Sequence, residues 1–217
     1  MTSSSPISTA LTTASPFLLA VFGYITTAVH TLRTTQHEAR VARVGAQLKE
    51  LYGPLLACVS ATKSAYDAMV RQHAAAAGGV VAGLQGAAAA THFRDAVRAD
   101  PHGAAAEAYR TWVRVVLMPL SERAMKTVIE HADLLESTTI EPLLLQLVAH
   151  VSAYRVILRR WEEGALAEGS HISYPDGVHA WASEQFRRLK RRQAELLGVD
   201  KDGRQGSFLM RLLVSRL

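Results

Sequence analysis

Apolar residues recur at three- and four-residue steps through three long stretches of the chain, which is the spacing of amphipathic helices. In residues 34–73, Val41, Val44, Leu48, Leu51, Leu55 and Leu56 keep this step, and Val59, Tyr66, Met69 and Val70 continue it. Gly53-Pro54 interrupts the stretch. A proline there removes a backbone donor, so a kink or a restart is expected. In residues 104–133, Tyr109, Trp112, Val113, Val116, Leu117, Leu120, Met125, Val128 and Ile129 are in step, with a second proline interruption at Met118-Pro119. Ser137-Thr138-Thr139 is expected to end this unit and cap the next, whose opening is Glu141-Pro142. Residues 140–163 then give the most apolar stretch of the main body. Arg155, Arg159 and Arg160 leave it fewer than twenty uncharged residues, so it reads as the central core helix of a bundle. Gly164 is its stop. Pro175-Asp176 opens a last long helix that runs through Leu197 to Gly198.

The first 32 residues differ from everything that follows, because they carry no charge. Nine of residues 1–15 are Ser or Thr, with no Arg or Lys, and this part reads as a disordered polar lead-in. Residues 16–33 read as a transmembrane anchor, with Phe17, Leu18, Leu19, Val21, Phe22, Tyr24, Ile25 and Val29 facing lipid. Thr26, Thr27, His30 and Thr31 dilute the end of this run. Arg33, Arg40, Arg43 and Lys49 follow it, so the positive-inside rule puts the bulk of the chain on the cytoplasmic, matrix or stromal side. The membrane would be a bacterial-type or organelle inner membrane, or a thylakoid. Residues 34–198 form the predicted bundle of four or five proline-kinked helices. Residues 74–91, rich in Ala and Gly, are an insertion within it, and 199–217 form a basic amphipathic tail. The fold class expected is all-α.

Composition agrees with this. The chain is 49% hydrophobic and only 6% aromatic, rich in Ala and Leu, the cheapest residues to place in a helix. Its single cysteine, Cys58, excludes an intramolecular disulfide and a multi-cysteine metal site, and fits a small buried hydrophobe. The net charge of +5 is local. Residues 187–217 hold nine Arg or Lys and three acids, a net of +6, so the rest of the chain sums to −1. Arg187, Arg188, Lys190, Arg191 and Arg192, with Arg211 and Arg216, are the candidate contacts for an anionic membrane surface or an acidic partner. Nucleic acid is the weaker reading of the same run, because only Trp181 and Phe186 interleave it.

No catalytic motif is assembled. The nine histidines give no HExxH spacing, and GGVVAG (78–83) lacks the strand, lysine and helix of a phosphate loop. His131, Asp133 and His150 are the weak candidates for a metal or acid–base site; a hydrogen-bonded core histidine is the simpler reading of His150. No cofactor is expected.

LYGPL (51–55), LMPLSER (117–123), ADLL (132–135), LVAHVSAY (147–154) and Trp161-Glu162-Glu163-Gly164 together resemble a family of mostly helical, N-terminally membrane-anchored proteins of bacteria and algae. The resemblance covers residues 48–197. Val148 stands where the family pattern has Cys, and the insertion at 74–91 departs from it. The family has no assigned activity, so the resemblance implies the architecture and no chemistry. The expected function is that of a non-catalytic accessory or interaction subunit of a membrane complex, whose partners are other subunits and the bilayer. The alternatives are a helical enzyme or metal-binding domain using His131, Asp133 and His150, and a peripheral nucleic-acid-associated protein.

Overall fold

The computed structural model describes residues 6–74 and 86–199; the side chains of 6–18 lie outside this description. The fold is all-α, with no strand among the described residues. Among the described residues seven α-helices follow in order: α1 (Pro6–Ala46), α2 (Gly53–Ala74), α3 (Ala87–Ala99), α4 (Ala104–Trp112), α5 (Met118–Glu130), α6 (Pro142–Glu162) and α7 (Val178–Leu196). The chain divides into two compact units, one of residues 1–44 with 193–217 and one of residues 45–192.

In the second unit, a π-helical turn precedes each of the two prolines at which a kink or a restart is expected. Residues Gln47–Tyr52 form a π-helical turn that leads into α2, and Val113–Leu117 form another between α4 and α5. The residue before each proline donates its amide five residues back, Gly53 to the Leu48 carbonyl and Met118 to the Val113 carbonyl. A proline in a helix has no N–H and collides with the carbonyl four residues earlier. Widening the preceding turn to an i→i−5 ladder moves that carbonyl aside, so the helix continues through Pro54 and Pro119.

α2 packs chiefly on α5, which also meets α6. Leu55, Cys58 and Val59 of α2, Met125 and Val128 of α5, and Val178 and Ala182 of α7 form the main core with α6. From α6 come Leu144, Leu147, Val151, Ile157 and Trp161, the face expected of a central core helix. A smaller cluster joins Met69 and Val70 of α2 to Ala89 and Phe93 of α3. Buried Gln47, in the first π turn, donates to the carbonyl of Leu134 at 2.8 Å and so ties that turn to the short 3₁₀ turn Ala132–Leu134. Gly164 and Gly198 take positive φ, 91° and 66°, and end α6 and α7 as expected.

The alanine-rich end of the insertion, from Ala87, is helical in α3, while 75–85 lie outside the described residues. Two expectations change. Residues 6–15 belong to α1, not to a disordered lead-in; a helix propagates cheaply from an existing one, and Ser and Thr tolerate it. Ser137 does not cap α6. Its Oγ accepts from the Thr139 amide at 3.2 Å, and the N-cap of α6 is Glu141 with no side-chain bond.

The anchor also changes in standing. Among the described residues no helix is long and apolar enough to cross a membrane. Thr26, Thr27, His30 and Thr31 interrupt the apolar run, and Arg33 ends it. Hydropathy therefore does not make residues 16–33 a transmembrane span.

Candidate functional site

α1 is uncovered where the sequence singled it out. Leu19, Val21, Phe22, Tyr24, Ile25, Val29 and Leu32 are all exposed, at 40% to 77%. At 100° per residue they occupy an arc of roughly 220°. Gly23, Thr27, His30 and Thr34 lie on the remaining side. The threonine hydroxyls are bonded inside the helix. Thr27 donates to Gly23 O at 2.9 Å, Thr31 to Thr27 O at 2.9 Å and Thr34 to His30 O at 3.0 Å, while Thr26 bonds Phe22 O and Gly23 O. A hydroxyl already bonded to the backbone costs less to take out of water than a free one. The side chains of Phe17 and Leu18 lie outside the described residues. Farther along α1, His37 Nε2 lies 3.0 Å from the carbonyl oxygen of Leu196, in the same unit.

The basic run on α7 is largely answered within the chain. Arg187 pairs with Glu184 at 2.8 Å, Arg191 reaches the same carboxylate at 3.4 Å, and Arg188 pairs with Glu136. Three of the five cations of 187–192 thus face carboxylates at helix-face or cross-element spacing. Lys190 and Arg192 are exposed; Arg211 and Arg216 lie outside the described residues. The two aromatic residues that interleave the run turn toward the body of the second unit. The Trp181 ring lies 5.9 Å from that of Tyr52, and Phe186 approaches Gly53. Both side chains are half-buried.

His131, Asp133 and His150 do not gather into a metal site. No group of three or more His, Cys, Asp or Glu among the described residues could hold a metal ion. His131 ends α5, where its amide donates to Thr127 O, and lines a cleft of about 830 Å³. Lys49, Glu50, Pro54, Glu122, Arg123, Lys126 and Glu130 line the same cleft, and Arg155 closes on Glu122 at 2.8 Å. Carboxylates of Glu50, Glu122 and Glu130 and cations of Lys49, Arg123 and Lys126 share its lining. Asp133 is exposed in the 3₁₀ turn. His150 sits elsewhere. Its Nδ1 bonds the Ile172 carbonyl at 2.8 Å, and its ring lies 4.7 Å from that of Tyr154 and 5.4 Å, edge-on, from that of Tyr174. Burial holds its pKa below the ordinary histidine value, and the Ile172 bond offsets part of that. A neutral, hydrogen-bonded histidine is what this arrangement favours.

Sequence reasoning missed the polar chain beside it. The hydroxyls of Tyr109 and Tyr154 lie 2.7 Å apart, and the Tyr109 ring meets Trp161 edge-on at 6.2 Å. Desolvation raises the Tyr109 phenol well above its ordinary range, with Tyr154 adding to the shift. Tyr174 is pushed up to about 12, first by burial and then by the charge of Asp176. Cys58 is buried and its thiol is raised by desolvation, as befits an inert core residue. No signal at the level of spacing could have paired tyrosines 45 residues apart. Comparison of the chain with family models, with curated proteins and with solved structures finds no match.

Proposed function

We propose that the chain is a non-catalytic accessory or interaction subunit of a larger membrane complex, attached through residues 16–33. The observation that carries this reading is the uncovered α1, with seven large apolar side chains exposed from Leu19 to Leu32. A helix docked on a single surface needs an apolar stripe of about 100°. An arc near 220° favours surroundings that are apolar on most sides. The bonded threonine hydroxyls lower the cost of such surroundings, and hydropathy scales, which count threonine by type, do not credit that. The Gly23–Thr27–Thr31 side is narrow and suits close approach of another helix. The proposal is therefore a helix seated among the spans of a partner, with lipid on its wider side and the bulk of the chain on the positive side of the bilayer.

Carbonate extraction of membranes from cells that express the chain tests the attachment. Retention in the membrane pellet supports it, and release to the supernatant ends it. Purification in mild detergent tests the subunit role: a stable co-purifying set of membrane proteins supports it, and a lone monomer counts against it.

A further inference from the structure

The cleft that His131 lines lies wholly within the second unit, where the first π turn, the start of α2, α5 and α6 contribute to it. The π turn buries Leu48, Leu51 and Tyr52 and leaves Lys49 and Glu50 to the cleft. The charges there do not cancel. Glu122 is taken by Arg155 at 2.8 Å, and Glu130 by Lys126 at 3.7 Å, one turn along α5. That leaves Lys49 and Arg123 as cations and Glu50 as a carboxylate, none with an ion-pair partner among the described residues. Arg123 acts on the Cys58 thiol, which is buried and protonated and so does not neutralise it. Two open cations against one open carboxylate give an excess of one positive charge. Pro54, buried Met125 and Ile129, which is 58% exposed, give the same cleft an apolar side. Its volume of about 830 Å³ is that of a small-molecule site.

We propose that this cleft binds a small organic acid, one carboxylate on an apolar body. The planar guanidinium of Arg123 matches the two oxygens of a carboxylate, and Lys49 adds a second positive charge. The apolar body lies on Pro54, Met125 and Ile129, where contact takes apolar surface out of water. Glu50 sets the charge limit. It repels a second anionic group, so a dicarboxylate or a polyphosphate is disfavoured against a monocarboxylate. The site stands on the second unit alone and holds whether or not α1 meets a membrane.

The test is methyl NMR of the full chain at neutral pH, read at Ile129 and Met125, with phenylbutyrate as the probe. Acetate supplies the head without the body, and phenylbutanol the body without the charge. Shifts at both methyls that saturate with phenylbutyrate, and are smaller with acetate or phenylbutanol at the same concentration, are the expected result. Lys49→Gln and Arg123→Gln, both at exposed positions, are each expected to weaken binding about tenfold, the scale of one charge-assisted hydrogen bond. Glu50→Gln is expected to strengthen it. The methyls of Leu144 and Leu147, fully buried, report in the same spectra that each variant keeps its fold. Absence of saturable shifts at Ile129 and Met125 overturns the proposal. Equal shifts with phenylbutanol overturn the carboxylate, and unchanged affinity in both cation variants places the acid elsewhere and overturns the site.

Discussion

The amide of Gly53 donates to the carbonyl of Leu48, and a Cβ built on Gly53 would lie 2.5 Å from that same oxygen. The first π turn therefore closes against a glycine for lack of room. At the second π turn Met118 makes the matching bond to Val113 and carries a full side chain, so the need is local to the Gly53 approach. Gly53→Ala is expected to destabilise the chain. Forcing the carbonyl aside costs about 1–3 kcal/mol and outweighs the gain of at most about 1 kcal/mol from helix propensity. Gly45→Ala meets nothing within 4 Å and is expected to stabilise by about 0.5–1 kcal/mol. Urea midpoints of the two variants, moving in opposite directions, check the pair.

The hydroxyl pair of Tyr109 and Tyr154 predicts an asymmetric cycle. Tyr154→Phe leaves the desolvated Tyr109 hydroxyl without its partner, at about 1–3 kcal/mol. Tyr109→Phe leaves Tyr154, whose hydroxyl is less confined, and is expected to cost less. The double variant is expected to lose less than the sum of the two, and a strictly additive result would show that the pair is not coupled.

Much of this architecture is legible in the sequence, and the exceptions have physical causes. The core face of α6 follows from apolar spacing, and Gly164 and Gly198 stop their helices because a positive φ suits glycine. The π turns escape detection. Six or five residues of a wider helix shift the apolar register too little to read, and proline by itself signals only disturbance. His150 was visible as a polar residue on a core helix, but its partner, the carbonyl of Ile172, carries no side-chain signature. The basic run was visible too. Its neutralisation by Glu136 depends on a residue 52 positions away, brought near only by the fold.

Neighbouring leucines of α6 separate a core helix from a membrane span. Leu147 is fully buried and Leu145 is exposed. Leu147→Ala is expected to cost about 2–5 kcal/mol, and Leu145→Ala less than about 0.5 kcal/mol. Equal costs in chemical denaturation would contradict the one-sided packing of this helix.

Tyr174 gives the alkaline limb of stability. Its folded-state pKa, pushed up to about 12, exceeds the unfolded value of about 10. The unfolded chain therefore releases this proton first as the pH rises, and the stability contributed below pH 10 is lost between about pH 10 and 12. Tyr174→Phe is expected to flatten the decline, as read from thermal midpoints across that range.

His150 sets the opposite limb. Burial lowers its folded-state pKa below the unfolded value of about 6.5, so the unfolded chain takes up this proton first as the pH falls. The stability it contributes is complete above about pH 6.5 and is lost as the pH drops through the folded-state value. The consequence is also local. The ring sits between Tyr154 and Tyr174 and bonds Ile172, while Gln146 holds Ser173 at 3.2 Å, so His150 and Gln146 together fasten the segment after α6. A charged imidazole in that site lacks a carboxylate partner among its identified contacts, and acid is expected to loosen 170–174 before the core. Hydrogen exchange at pH 5 and pH 7.5 checks this: faster exchange of 170–174 at pH 5, relative to the buried face of α6, is the expected result. His150→Gln is expected to remove the pH dependence of that ratio, and a dependence that survives the substitution would assign the acid response to another group.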